Sequence, residues 1–204
     1  GGIYIHNDKE TGIRDDDTTF VFSEVDVDDN DSILEGGGIY FSNANIYIDG
    51  LVMQDNPCHN AVTQDHGGGI FGEDAGSVVI ENSIIHNNNA SVGIASGSWG
   101  GGIHFENVQA AMRNVQFTAN KAMDKAGAIY LKNSDLNMIN CTIADNQLTQ
   151  GNYGSAIHTQ KTGFGGHNFL YITNSIIWNN ENPFYPNSGS QLSGDLMASI
   201  GIDL

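Results

Sequence analysis

The chain has 204 residues, with 26 glycines against 3 prolines and 24 acidic against 7 basic side chains, for a formal charge of −17. A chain this acidic excludes nucleic acid and anionic membrane surfaces as partners, because both carry the same sign of charge. No stretch reaches the roughly 18 apolar residues of a membrane-spanning helix, and Gly and Asn interrupt every 3.6-residue apolar period, so an all-β chain with many tight turns is expected.

The first predicted strand, Gly1-Gly2-Ile3-Tyr4, introduces a phrase that recurs along the chain. Its later copies are Gly37-Gly38-Ile39-Tyr40, Gly68-Gly69-Ile70-Phe71, Gly101-Gly102-Ile103-His104, Gly127-Ala128-Ile129-Tyr130 and Ser155-Ala156-Ile157-His158. Each is answered by an apolar residue with an asparagine three positions on: Val27/Asn30, Met53/Asn56, Ile85/Asn88, Phe117/Asn120, Ile143/Asn146 and Ile177/Asn180. The closing asparagines are 26, 32, 32, 26 and 34 residues apart, lengths that suit one turn of a three-strand coil with loops taking up the excess. A helical array keeps its period because helices must be whole, whereas a β-coil absorbs insertions between strands. Units of this size bury their apolar faces only by stacking, so the expected architecture is a β-solenoid of about six coils.

Between the first opening and the first closing lies an acidic segment. Eleven of the 24 acids fall within residues 8–35, among them Asp15-Asp16-Asp17 and Asp26, Asp28, Asp29 and Asp31. Strand alternation turns Val25 and Val27 inward and Asp26 and Asp28 outward. Calcium takes several hard oxygens at about 2.3–2.6 Å, so Asp26, Asp28 and Asp29 are the candidate calcium ligands. The spacing is neither an EF-hand loop nor the Gly-Gly-x-Gly-x-Asp β-roll repeat, and a solvated acidic face is the plainer reading.

Further along, residues 57–66, 89–100, 121–126 and 147–154 are polar and variable and read as loops. Cys141 shares the apolar position of Val25, Leu51 and Val115 and reads as a buried thiol. Cys58 lies 83 positions away at a non-equivalent point of the repeat, and spacing alone leaves a disulfide open. Residues 1–180 form the coils, and 181–204 an atypical final coil or the start of a cap. The sequence opens inside a repeat and closes without an evident cap, as expected of a segment of a longer chain.

Three columns follow from stacking the units. The closing asparagines would lie one above another at about 4.8 Å per coil, bonding amide to amide and taking the left-handed corners between strands. Asn82, Asn114, Asn140 and Asn174 form a second column, broken by Glu24 and Gly50 in the first units. The residue after each opening Ile (Tyr4, Tyr40, Phe71, His104, Tyr130, His158) faces away from the core, predicting an exposed ladder of rings. Such a ladder either shields the sheet, by stacking or by lying under loops, or serves as a ligand-binding platform for sugar rings or a protein partner. His104 and His158, two coils apart, are too distant to chelate one metal.

Catalysis has less support. The basic residues (Lys9, Arg14, Arg113, Lys121, Lys125, Lys132, Lys161) are scattered, and outside the N-terminal cluster acids rarely share a position in adjacent units. Glycoside hydrolysis needs two carboxylates roughly 5–9.5 Å apart, and no Gly-x-Ser-x-Gly elbow is present. The residues lean away from an enzyme, and no catalytic residue is assigned.

Gly127-Ala128-Ile129-Tyr130 and Phe117-Thr118-Ala119-Asn120 resemble the repeat signatures of the chlamydial polymorphic outer-membrane proteins. Asn140-Cys141-Thr142-Ile143-Ala144-Asp145-Asn146 and Asn174-Ser175-Ile176-Ile177-Trp178-Asn179-Asn180 are similar to the closing repeats of long Bacteroidetes β-helix proteins with C-terminal sorting or anchor domains. The resemblance implies a right-handed parallel β-helix in a secreted or cell-surface bacterial protein. The implied role is non-catalytic, as adhesin, stalk or secretion-system passenger, with a protein or glycan at the cell surface, or the secretion machinery, as partner. The alternative is a carbohydrate-active or glycan-binding β-helix.

Overall fold

The computed structural model describes residues 2–7, 18–33, 35–59, 66–91, 97–151, 153–163, 168–183, 191–195 and 202–203, the last pair as backbone only. No helix occurs among them. The chain winds through stacked parallel sheets. The first sheet holds Ile3–His6, Ile39–Ser42, Ile70–Glu73, Ile103–Glu106, Ile129–Lys132, Ile157–Gln160 and Leu192–Gly194. The second holds Thr19–Ser23, Asn45–Asp49, Val78–Glu81, Gln109–Arg113, Asp135–Ile139, Leu170–Thr173 and Ile202–Asp203. The third holds Asp26–Asp28, Val52–Gln54, Ile84–His86, Gln116–Thr118, Thr142–Ala144 and Ile176–Trp178.

Register follows the repeat. Ile3, Ile39, Ile70, Ile103, Ile129 and Ile157 are neighbours in one row, continued by Leu192. A one-residue slip would turn this whole row to solvent. Their side chains meet the inward rows of the second sheet (Ile46/Ile48, Val78/Ile80, Leu136/Met138) and of the third (Val27, Met53, Ile85, Phe117, Ile143) in one continuous buried core. Each fully buried aliphatic or aromatic side chain contributes about 1.5–3 kcal/mol. Gly72 interrupts a row of Phe41, Phe105 and Leu131 for a packing reason: a Cβ there would lie 2.2 Å from the Phe41 ring. Phe41 and Phe105 approach to 5.9 Å across the gap that Gly72 leaves.

The closing asparagines form the expected amide ladder, buried at the edge of the core. Nδ2 of Asn56, Asn88, Asn120 and Asn146 donates to Oδ1 of the next asparagine at 2.8–3.0 Å. The same oxygens accept the backbone N–H of the preceding asparagine. Gln191 ends the row, its Oε1 accepting from Asn180 Nδ2 at 2.7 Å. Their place in the turn differs from expectation. The left-handed residues are the ones just before them: Asp29, Asp55, Asn87, Ala119, Asp145 and Asn179, with φ of 51–58°. The corner must precede the ladder residue, because that residue's side chain has to point inward to bond its neighbours. The second asparagine column does occupy a left-handed corner, shared with Glu24 and Gly50.

The three-strand coil is corrected to four. Residues read as loop begin with a short strand, Asn89–Ala90, Lys121–Ala122 or Gln147–Leu148, and these pair into a further sheet. Pro57 bridges to Asn89 in the same way. The buried residues Cys58, Ala90, Ala122 and Leu148 line this corner. Two-residue strands carry no alternation, which is why they read as loop. Gly37, Gly68, Gly101 and Gly127 face this corner: a Cβ on Gly101 would lie 2.3 Å from the Lys121 carbonyl. Ser155, the one non-glycine there, hydrogen-bonds the Asn180 carbonyl at 2.8 Å. Cys58 and Cys141 are both buried, and no disulfide joins them.

Candidate functional site

The outward side of the first sheet carries two columns. The second strand position holds Tyr4, Tyr40, Phe71, His104, Tyr130 and His158, and the fourth holds His6, Ser42, Glu73, Glu106, Lys132 and Gln160. The rings stack as expected. Tyr4 and Tyr40 lie 4.8 Å apart and 5° from parallel, Tyr40 and Phe71 5.6 Å apart, and Tyr130 and His158 5.6 Å apart. His104 meets Tyr130 edge-on at 4.5 Å.

The ladder is exposed only at one end, which corrects the expectation of an exposed ladder along its length and bears out the reading in which the rings lie under loops. Tyr4 is 70% accessible, but Phe71, His104, Tyr130 and His158 are buried. The chain just before Gly68, Gly101 and Gly127 folds back over the rings, where His66, Trp99 and Lys125 bridge one another in parallel. Trp99 stacks on His66 at 4.6 Å and on Tyr130 at 5.0 Å, and Tyr153 meets His158 at 5.0 Å. The Lys125 ammonium sits 4.4 Å over Trp99 and 5.1 Å over Tyr153, and donates to Gln160 Oε1 at 2.9 Å. A desolvated cation over indole and phenol faces is attractive, so Lys125 fastens this cover down.

Burial controls the charges beneath it. It pushes the His104 imidazole below its ordinary range, only partly offset by the Glu106 contact at 3.1 Å. His104 Nδ1 has no hydrogen-bond partner, consistent with a neutral ring. Burial, then the Lys125 charge, lowers His158 to about 4. Burial raises Glu106, but hydrogen bonds from His104 and from Lys132 (2.8 Å) outweigh it and hold the carboxylate below the usual range. Glu35 goes the other way, raised by burial and then by Glu73 and Glu106. The Tyr40 hydroxyl donates to Glu73 at 2.6 Å, and that of Tyr130 to Gln160 at 2.6 Å.

Glu35, Glu73 and Glu106 were missed as a group in the sequence. The signal was there: Glu73 and Glu106 share the fourth place of adjacent opening strands, Ile-Phe-Gly-Glu and Ile-His-Phe-Glu. Glu35 is joined to them only by the fold. Beside it, Tyr4, Tyr40, Asp31 and Ser32 border a depression of about 400 Å³.

The proposed calcium ligands sit elsewhere. Asp26 and Asp28 point outward from the third sheet as expected. Asp28 Oδ2 accepts from Gln54 at 3.2 Å, Asp29 forms the left-handed corner, and Asp31 contacts His59 at 2.6 Å. Asp15, Asp16 and Asp17 lie outside the described residues. Among the described residues, no three His, Cys, Asp or Glu side chains converge as a metal would require. Arg113 pairs with Glu81 at 2.7 Å on the second sheet, and Trp178 is 71% exposed on the third.

The family described as a right handed beta helix region matches residues 1–195. No curated protein and no solved structure gives a match.

Proposed function

The chain belongs to the right-handed β-helix family, and on that premise we propose that it is a non-catalytic scaffold of a secreted or cell-surface protein. Its exposed faces present binding surfaces to a protein or glycan. The observation that carries this reading is the state of the outward face of the first sheet. Beyond Tyr4, which is exposed at one end, its ionisable and aromatic groups are largely consumed by one another, with Lys132 on Glu106, Lys125 over Trp99 and Tyr40 on Glu73. A catalytic groove would leave an acid, a base and a binding platform open to substrate. A long coil with varied corners suits presentation.

One observation favours a second reading, glycoside hydrolysis. Glu35 is pushed up and Glu106 down, a split that can separate an acid from a base. A panel of neutral and acidic polysaccharides, assayed for new reducing ends and unsaturated products, decides between them. The scaffold reading expects neither product. Turnover that Glu35→Gln abolishes would establish the hydrolase instead.

A further inference from the structure

A second open concavity crosses the outer face of the second sheet. Alternation turns Val78, Ala110, Leu136 and Leu170 into the core, leaving Gln109, Ala111, Asp135, Asn137, Phe169 and Tyr171 to line a shallow trough of about 400 Å³ across consecutive coils. That volume lies within the range of small-molecule sites, about 300–1,000 Å³. Ala111 forms a low floor because it stands in register between larger neighbours, Val79 and Asn137. One end is walled by Phe169 and Tyr171, whose rings lie 6.4 Å apart and 21° from parallel. Tyr171 is 43% exposed. Asn137 is likewise exposed.

We propose that this trough binds a neutral oligosaccharide. A pyranose ring has a face of C–H groups and a rim of hydroxyls. The two rings offer an apolar wall for the former, and the Gln109 and Asn137 amides with the Asp135 carboxylate offer donors and acceptors for the latter. Asp135 is positioned for this, because its Oδ1 already accepts the Phe169 backbone N–H at 2.9 Å. Charge selects within the sugars. The sole lining side chain that is charged at neutral pH is an acid, Asp135, on a chain of charge −17, so acidic glycans are repelled and neutral ones are not. The site names the partner class of the scaffold reading and rests on it, although binding and turnover are measured separately.

The test is isothermal titration with cellohexaose, laminarihexaose, mannohexaose, xylohexaose and hexagalacturonate, at 0.15 M salt. The expected result is binding of at least one neutral hexasaccharide and not of hexagalacturonate. Tyr171→Ala and, separately, Ala111→Gln should each weaken that binding about tenfold or more while leaving the melting temperature within about 2 °C. Absence of binding to every neutral sugar, or binding untouched by both substitutions, overturns the site. Self-association abolished by the same substitutions, without sugar binding, assigns the trough to a second copy and likewise overturns it. Cleavage of a bound sugar would sink the scaffold reading while leaving the site standing.

Discussion

The outer faces of the first and second sheets are built by the same alternation, yet one is closed and the other open. On the first, Phe71, His104, Tyr130 and His158 project from the strands into a pile covered by His66, Trp99, Lys125 and Tyr153. On the second, Ala111, Asn137 and Tyr171 project from equivalent positions and remain at least partly accessible. The strand decides only which way a side chain points. Whether that direction leads to water depends on what the intervening chain does next. Aromatic residues are therefore a structural element on one face and a binding wall on the other.

Substitutions should separate the two faces. Removing a fully buried ring, by Tyr130→Ala, leaves a cavity and takes one hydrogen bond from Gln160; the expected loss is about 3–5 kcal/mol, read from the urea midpoint. Acid should act next. His158 and His104 are held neutral, so between the unfolded value near 6.5 and the lower folded values the unfolded chain binds more protons. Their contribution is complete above pH 6.5 and is lost as pH falls, by up to about 3 kcal/mol for His158 as pH approaches 4. Glu106, whose folded value is depressed, adds a loss at lower pH, whereas Glu35, whose value is raised, opposes it. A pH series of denaturation curves in which His158→Gln flattens the slope from pH 6.5 to 4 checks this assignment.

Smaller effects sharpen the contrast. Lys125→Met keeps the stem but loses the cation over Trp99, at about 1 kcal/mol, with the loss of protection concentrated around Trp99 in hydrogen exchange. Tyr171→Ala on the open face should change stability by no more than about 0.5 kcal/mol. A large destabilisation there would mean that the second face is packing surface too.

Much of the fold was legible because it is periodic. The isoleucine row, the inward valine and methionine rows and the buried asparagine ladder each repeat in sequence and in space. Two things were not. The short fourth sheet rests on Ala90, Ala122 and Leu148, which carry no pattern over two-residue strands. The cover over the ring column rests on His66, Trp99, Lys125 and Tyr153, each two residues before its opening; the position aligns in sequence, but its mixed residue types carry no pattern that marks it as folding over the rings. The left-handed corners were half legible. The position before the closing asparagine holds Asp29, Asp55, Asn87, Asp145 and Asn179 but also Ala119, whose missing side chain hides the column. Glu73 and Glu106 were visible in register, yet only burial and Lys132 reveal what they do.

The account turns on the first-sheet rings being sealed, and histidine titration by NMR tests this most directly. His158 should titrate near 4 and His104 below the ordinary histidine range, with neither resonance moving on addition of any oligosaccharide. Both imidazoles titrating near 6.5, as exposed histidines do, would contradict it.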